Sequence, residues 1–289
     1  MEGLLHQLAS GLVSGAYYGG FALALVMVHR ATGHINFAQG EMATFATFVA
    51  LSAALAGFPL FVAAAIALAA SAVIGAAVEI ALIKPLGEKA PLRLVIVTIG
   101  LFMFLNGSSG FLFGYAAVPM DSPFAGLPIG NKYMSAHEIG SLGVIFALVL
   151  ILFAIFRFTK FGLAMRAAAV NPTSARLVGV NVDLVRAVGW AAAAMIGTVV
   201  GLLVAPVFFI EPNLMLGVLV YGFAAALVGG INNPWGAVVG GILVGILENL
   251  AGAYLVGTEL KLTVALSIII AVLLIKPSGL FGKSVVRRV

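Results

Sequence analysis

Arg157-Phe-Thr-Lys160-Phe-Gly162-Leu-Ala-Met-Arg166-Ala-Ala-Ala-Val-Asn171-Pro172-Thr-Ser-Ala-Arg176-Leu-Val-Gly179-Val-Asn181-Val-Asp183-Leu-Val-Arg186 is the one long stretch of this chain that does not belong in hydrocarbon. Five of the fifteen basic residues fall in it: Arg157, Lys160, Arg166, Arg176 and Arg186. It contains a short helix with its own punctuation. Asn171 suits an N-cap, because its side-chain oxygen can accept from an unpaired first-turn N–H. Pro172 suits the first helical position, where its missing N–H costs nothing. Gly179 suits the stop, since glycine enters the left-handed conformation freely. The spacing therefore predicts a helix of about two turns between two long apolar segments. Charge alone leaves two readings open, a solvated cytoplasmic loop or an element that docks on another protein.

Outward from this stretch the chain is apolar. Hydrophobic residues make up 63% of it and charged residues 9%, and the mean hydropathy is +1.19. A soluble domain could not keep that much apolar surface from water, so the fold class is an all-α polytopic transmembrane bundle. The 35 glycines suit close helix–helix approach in a bilayer. Cysteine is absent, which excludes disulfide and thiol chemistry. Residues 1–7 lack a basic leader region and the apolar run after them is long, so that segment is expected to be retained.

Apolar segments lie at 8–29, 34–56, 60–83, 93–113, 139–156, 184–210, 215–231, 236–256 and 262–276, giving about 8–9 spans in a single transmembrane domain over 1–289, with a cytoplasmic loop at 157–186. The pair 215–231 and 236–256 can be read as two spans or as a re-entrant hairpin. If the loop at 157–186 is cytoplasmic, alternation puts the N-terminus outside and the C-terminus inside. Thirteen of the fifteen basic residues then lie inside, namely Arg30, Lys84, Lys89, Arg93, the five above, Lys276, Lys283, Arg287 and Arg288. Only Lys132 and Lys261 fall outside, a bias that supports this orientation.

Catalytic chemistry finds no footing. Gly282-Lys283-Ser284 looks like the end of a phosphate loop, but Pro277 stands where its first glycine belongs and no strand precedes it. His6, His29, His34 and His137 show no metal-ligand spacing, so no metal and no catalytic residue is expected. The informative polar residues are intramembrane. A helix through Asn36, Gln39, Gly40, Ala43 and Thr47 carries them on one face, with Phe37, Phe45 and Phe48 opposite. Glu41 lies nearer the phenylalanine side and needs a partner from another helix, a broken helix at Gly33, or a shallow position. Glu248 shares a face with Gly241, Gly245 and Gly252, and Asn249 follows it. A charge near mid-bilayer costs roughly 2.5–3.5 kcal/mol, so Glu248 is expected to line a cavity or to sit in a buried ion pair. The stripes Gly11/Gly15/Gly19 and Gly197/Gly201 read as packing faces.

Several stretches together resemble the inner-membrane permease family of branched-chain amino acid ABC importers, in its shorter type. The resemblance rests on Gly33-x-Ile35-Asn36-Phe37-Ala38-Gln39-Gly40-Glu41, Glu79-x-x-x-x-Lys84-Pro85-Leu86, Gly162-x-Ala-x-Arg166-Ala-x-Ala, Gly179-Val-Asn181 and Gly229-Gly230-Ile-x-x-Pro234-x-Gly236-Ala-x-x-Gly240-Gly241. Two places depart from it: Gln39 stands where many relatives have His, and Asn232-Asn233-Pro234-Trp235 replaces smaller residues. The resemblance implies a multi-pass protein of the bacterial inner membrane that moves branched-chain amino acids, or a related small amide or carboxylate, inward by alternating access. It implies that Arg166, Asn171, Pro172, Arg176, Leu177 and Gly179 belong to a coupling helix region; Arg176, one turn beyond Pro172, can then face an acidic residue of an ATPase. Asn36, Gln39, Glu41, Thr47, Glu248 and Asn249 are then the candidates for the substrate pathway. It implies as partners a second paralogous permease chain or a second copy, two ATP-binding cassette subunits that carry ATP and Mg, and a periplasmic binding protein, with no nucleic acid. The rival readings are an ion-coupled secondary transporter using Glu41 and Glu248, or a channel.

Overall fold

The computed structural model describes residues 2–87 and 91–282. Lys89, Lys283, Arg287 and Arg288 of the charge argument, and Lys283 and Ser284 of the dismissed phosphate loop, lie outside the described residues. Twelve α-helices follow one another among the described residues: α1 (Glu2–Thr32), α2 (Gln39–Leu55), α3 (Leu60–Val78), α4 (Lys84–Leu86), α5 (Pro91–Phe113), α6 (Ala136–Phe158), α7 (Lys160–Val170), α8 (Pro172–Leu177), α9 (Val182–Phe208), α10 (Leu216–Gly229), α11 (Pro234–Ala251) and α12 (Lys261–Ile275). A π-helical turn, Glu79–Ile83, joins α3 to α4, and a second, Gly252–Val256, prolongs α11. Helices are what such a sequence must form, because hydrocarbon offers the backbone no other hydrogen-bond partners. Among the described residues, seven helices are long and apolar enough to cross a membrane. The two remaining expected spans are the shorter α2 and α10, of 17 and 14 residues.

The chain forms two compact units. The first draws on Met1–Val26, Phe124–Ile145 and Val218–Val289. Its axis is a backbone-to-backbone contact of α1 with α11. A Cβ on Gly15 would lie 2.7 Å from Cα of Ile242, and one on Gly241 or Gly245 would lie 2.4 Å from Cα of Gly19 or Gly15. Numbers rise along α1 as they fall along α11, so the two helices are antiparallel. The glycine stripe is a packing face, as its spacing suggested.

The same unit decides how α10 and α11 run. Their connecting turn holds the segment that follows α12: Leu280 N–H donates to Val228 O (2.7 Å) and Asn233 Nδ2 donates to Phe281 O (3.1 Å). The other end of α11 reaches the start of α12, where a Cβ on Gly252 would touch Cε of Lys261 at 2.8 Å. α11 therefore runs alongside α12. Pro234–Val256 is long and apolar enough to cross a membrane, and Leu216–Gly229 is a shorter apolar helix.

The second unit comprises Met27–Pro123 and Phe146–Gly217. It is built on α2, α3 and α9. Gly75 of α3 admits the α9 backbone, since a Cβ there would lie 2.6 Å from Trp190 O. Met42, Leu105 and Ala194 form a buried cluster of α2, α5 and α9, and Phe48 stacks on Phe113 at 4.8 Å. Pairing of 42 with 105 and of 48 with 113 means that α2 and α5 run parallel.

Candidate functional site

The segment before α2 departs from its expected form. Gly33 takes φ +77° and ends α1, and Asn36 Oδ1 accepts the N–H of Ala38 at 3.0 Å. That local turn offers the backbone an alternative to helix. The helix starts at Gln39, so Asn36 is not part of a helical face with Gln39 and Thr47. It joins them by hydrogen bonding instead, because Asn36 Nδ2 donates to Gln39 Oε1 (3.1 Å) and Gln39 Nε2 donates to Ala193 O of α9 (2.9 Å). The polar stripe of α2 fits the small face of α9: Cβ atoms on Gly197 and Gly201 would lie 2.9 Å from Gln39 Nε2 and 2.6 Å from Thr47 Oγ1. Asn36, Gln39 and Thr47 are completely buried. They tie α2 to α9, and the two α9 glycines, read from sequence only as packing, are the space they need.

Glu41 is also completely buried, on another side of α2. It finds its partner on another helix: Asn106 Nδ2 of α5 donates to Glu41 Oε2 at 3.3 Å. The same amide nitrogen lies 3.1 Å from Pro212 O and 3.0 Å from Asn213 Oδ1. Sequence reasoning passed over Asn106 and Asn213. The signal available was that Asn106 is the single amide side chain in the 23 residues of α5.

Glu248 belongs to the first unit. It is 2% exposed, and Tyr18 OH of α1 donates to its Oε1 at 2.9 Å. Tyr18 stacks on Tyr221 of α10 with ring centroids 4.6 Å apart. No ion pair to Glu248 occurs among the described residues; the nearby Lys261 ammonium donates to Asn249 Oδ1 at 2.7 Å. Where one of the two expectations for Glu248 called for an ion-pair partner, the structure puts a tyrosine hydroxyl, and Lys261 binds the adjacent Asn249.

The basic stretch folds as its punctuation requires. Thr159 Oγ1 caps α7 by accepting Gly162 N–H (3.1 Å), and Arg166 Nε donates to Gly162 O (3.2 Å). Asn171 Oδ1 caps α8 through Ser174 N–H (3.0 Å), with Pro172 leading the helix. At the other end Gly179 takes φ +85°. Val180 N–H donates to Ala175 O and Gly179 N–H to Arg176 O, at 3.0 and 3.1 Å, the paired bonds of a Schellman stop. Asn181 then caps α9 through Leu184 N–H at 3.0 Å. The reversal at Gly179 brings Arg176 onto Asp183 of the same chain (3.2 Å), and Asp183 also pairs with Lys84 of α4 (2.9 Å). α8 is so tied to the starts of α9 and α4. Leu177 and Val178, 85% and 78% exposed, are the apolar residues it turns outward.

Residues 7–273 match the family model described as branched-chain amino acid transport system, permease component. The chain is 30% identical to the high-affinity branched-chain amino acid transport system permease protein LivH of Escherichia coli K12, over 99% of this chain and 97% of that protein. It is 28% identical to BraD, of the same description, from Pseudomonas aeruginosa, over 99% and 98%. A probable branched-chain amino acid transport permease protein LivH of Methanocaldococcus jannaschii is 30% identical over 90% of this chain and 87% of that protein. A solved structure, PsaBC from Streptococcus pneumoniae in complex with Fab, superposes with a TM-score of 0.46 at 16% identity, covering 94% of this chain and 93% of that one.

Proposed function

The chain belongs to the family of branched-chain amino acid transport system permease components, and from that membership we propose that it is the membrane subunit through which an ATP-driven importer moves a small aliphatic amino acid inward. A permease subunit is not itself an enzyme. Hydrolysis is assigned to two separate ATP-binding cassette subunits carrying ATP and Mg, delivery to a periplasmic binding protein, and the other half of the pathway to a second permease chain or a second copy. The chain acts as a single permease domain, with its N-terminus outside and its C-terminus cytoplasmic in a bacterial inner membrane.

The observation that carries the mechanism is α8. A helix of six residues is too short to persist alone, yet this one is capped at both ends and presents Leu177 and Val178 to the outside. We assign it as the contact on which an ATPase subunit pushes, with Arg166, Asn171, Pro172 and Gly179 shaping the segment. Arg176 holds it to the bundle through Asp183 rather than reaching for the partner. Asn36, Gln39 and Thr47 brace the α2–α9 contact behind the pathway, and Glu41, Glu248 and Asn249 remain its candidate polar groups.

The test is uptake of radiolabelled leucine by proteoliposomes holding the whole complex, with and without internal ATP, for the wild type and Leu177→Asp. Uptake should require ATP. Leu177→Asp should insert normally but lose the ATPase on co-purification, because a charge replaces an exposed apolar contact. Uptake that runs equally well without ATP would refute the importer reading in favour of a secondary transporter or channel.

A further inference from the structure

Four oxygens and one amide nitrogen meet between α2, α5 and the 209–215 connection, all within the second unit. Asn106 Nδ2 has two hydrogens but three oxygens within reach: Asn213 Oδ1 at 3.0 Å, Pro212 O at 3.1 Å and Glu41 Oε2 at 3.3 Å. The fourth oxygen, Glu41 Oε1, is buried without a hydrogen-bond partner among the described residues. The site thus has more acceptors than its one amide nitrogen can serve, and no cation stands beside Glu41 among the described residues.

The next helical turn has the opposite surplus. Thr44 and Ser109 are completely buried, and neither hydroxyl has a partner among the described residues. They stand three positions beyond Glu41 and Asn106 on two helices that run parallel. Both hydroxyls therefore lie about 4.5 Å further along the same direction. Buried hydroxyls left unpaired are uncommon in folded proteins. Two of them stand one turn along from Glu41 and Asn106 on the same pair of helices. Asn213, on the rim, is exposed.

We propose that Glu41, Asn106, Asn213 and the Pro212 carbonyl form a binding site for a primary ammonium group, with the hydroxyls of Thr44 and Ser109 placed to donate to a carboxylate beside it: a seat for the head group of a zwitterionic α-amino acid. The three N–H donors of an ammonium match the acceptors that one amide cannot satisfy. Its charge offsets Glu41, and the two hydroxyls take up the carboxylate. This deepens the importer reading and rests on it for the ligand's identity.

The experiment compares three ligands of one carbon skeleton on the full-length chain, purified with its partner subunits in nanodiscs. Leucine carries both charged groups, isoamylamine only the ammonium and 4-methylvalerate only the carboxylate. Calorimetric titration should rank leucine above isoamylamine and both above 4-methylvalerate. Glu41→Gln should weaken leucine and isoamylamine by at least about tenfold, as expected for loss of a charge-assisted contact. Asn213→Ala, at an exposed position, should weaken both by a smaller factor while leaving thermal unfolding unchanged. The proposal is overturned if 4-methylvalerate binds as well as leucine, if Glu41→Gln binds leucine like the wild type, or if sodium chloride but not the amines gives a Glu41-dependent signal. Leucine uptake is measured on the same samples. ATP-driven uptake with Glu41→Gln binding and transporting like the wild type would remove the seat and keep the importer. Amine binding lost in Glu41→Gln, alongside uptake indifferent to ATP, would keep the seat and remove the importer.

Discussion

Asp183→Asn should loosen α8 from the membrane helices without unfolding the bundle. Asp183 is the common partner of Arg176 at 3.2 Å and Lys84 at 2.9 Å. All three side chains are about half exposed, with 52% of Lys84, 51% of Arg176 and 43% of Asp183 accessible. Water and salt screen such pairs, and exposed pairs are worth roughly 0–1 kcal/mol each. Two pairs sharing one carboxylate then contribute about 1–2 kcal/mol at most. That is too little to decide the stability of the bundle, whose cores lie elsewhere. For a helix of six residues it is a large share of what keeps it seated, and it corresponds to a roughly 5- to 30-fold change in the seated population. Amide exchange over residues 172–180 should accelerate by that order in Asp183→Asn, while exchange in α3 and the middle of α9 stays as it was. In the reconstituted complex, ATP hydrolysis should persist and leucine uptake per ATP should fall. Raising salt should mimic the substitution in the wild type and change little in the variant, since the Debye length shrinks from about 10 Å at 0.1 M to about 3 Å at 1 M. Unchanged exchange in 172–180, with unchanged uptake per ATP, would refute the claim that Asp183 seats α8 on the bundle.

Other outcomes follow from the packing and the charge pattern. Gly15→Leu puts its Cβ 2.7 Å from Cα of Ile242, so α1 and α11 must separate; a loss of at least about 1–3 kcal/mol is expected, visible as a lower unfolding temperature in detergent, whereas Gly217→Ala, with nothing within 4 Å, should be silent. Tyr18→Phe removes the donor to Glu248 Oε1 and should cost about 1–3 kcal/mol, as burying an unpaired polar group does; adding Glu248→Gln should recover part of that loss, and a double variant no better than Tyr18→Phe alone would contradict the pairing. A cysteine introduced at Asp121 should react with an impermeant maleimide in intact cells and one at Arg176 should not, the reverse pattern being incompatible with the proposed orientation.

What the sequence disclosed depended on how local the responsible interaction was. The signals of α8 lie within nine positions, each acting on its own backbone or on a group three residues away, so Asn171, Pro172 and Gly179 could be given their roles without a fold. The same locality misled at Asn36. The helical period of Gln39, Ala43 and Thr47 was extended backward to it, although Gly33 and the Asn36–Ala38 turn hold that segment out of helix. The partner of Arg176 was missed for a subtler reason. Asp183 is seven residues on, out of reach along any straight helix, and becomes a neighbour only because the Schellman stop turns the chain back. Asn106 and Asn213 lay beyond any local reading, separated from Glu41 in sequence and brought to it by the parallel packing of α2 and α5 and by the 209–215 connection. Yet the requirement for such a partner was legible. A carboxylate near the aromatic side of an apolar helix needs a donor from elsewhere, and α5 offers one amide in 23 residues. Hydropathy settled which segments are helices because burial is a property of composition. The polar contacts between those helices had to come from the structure, because they depend on which faces meet.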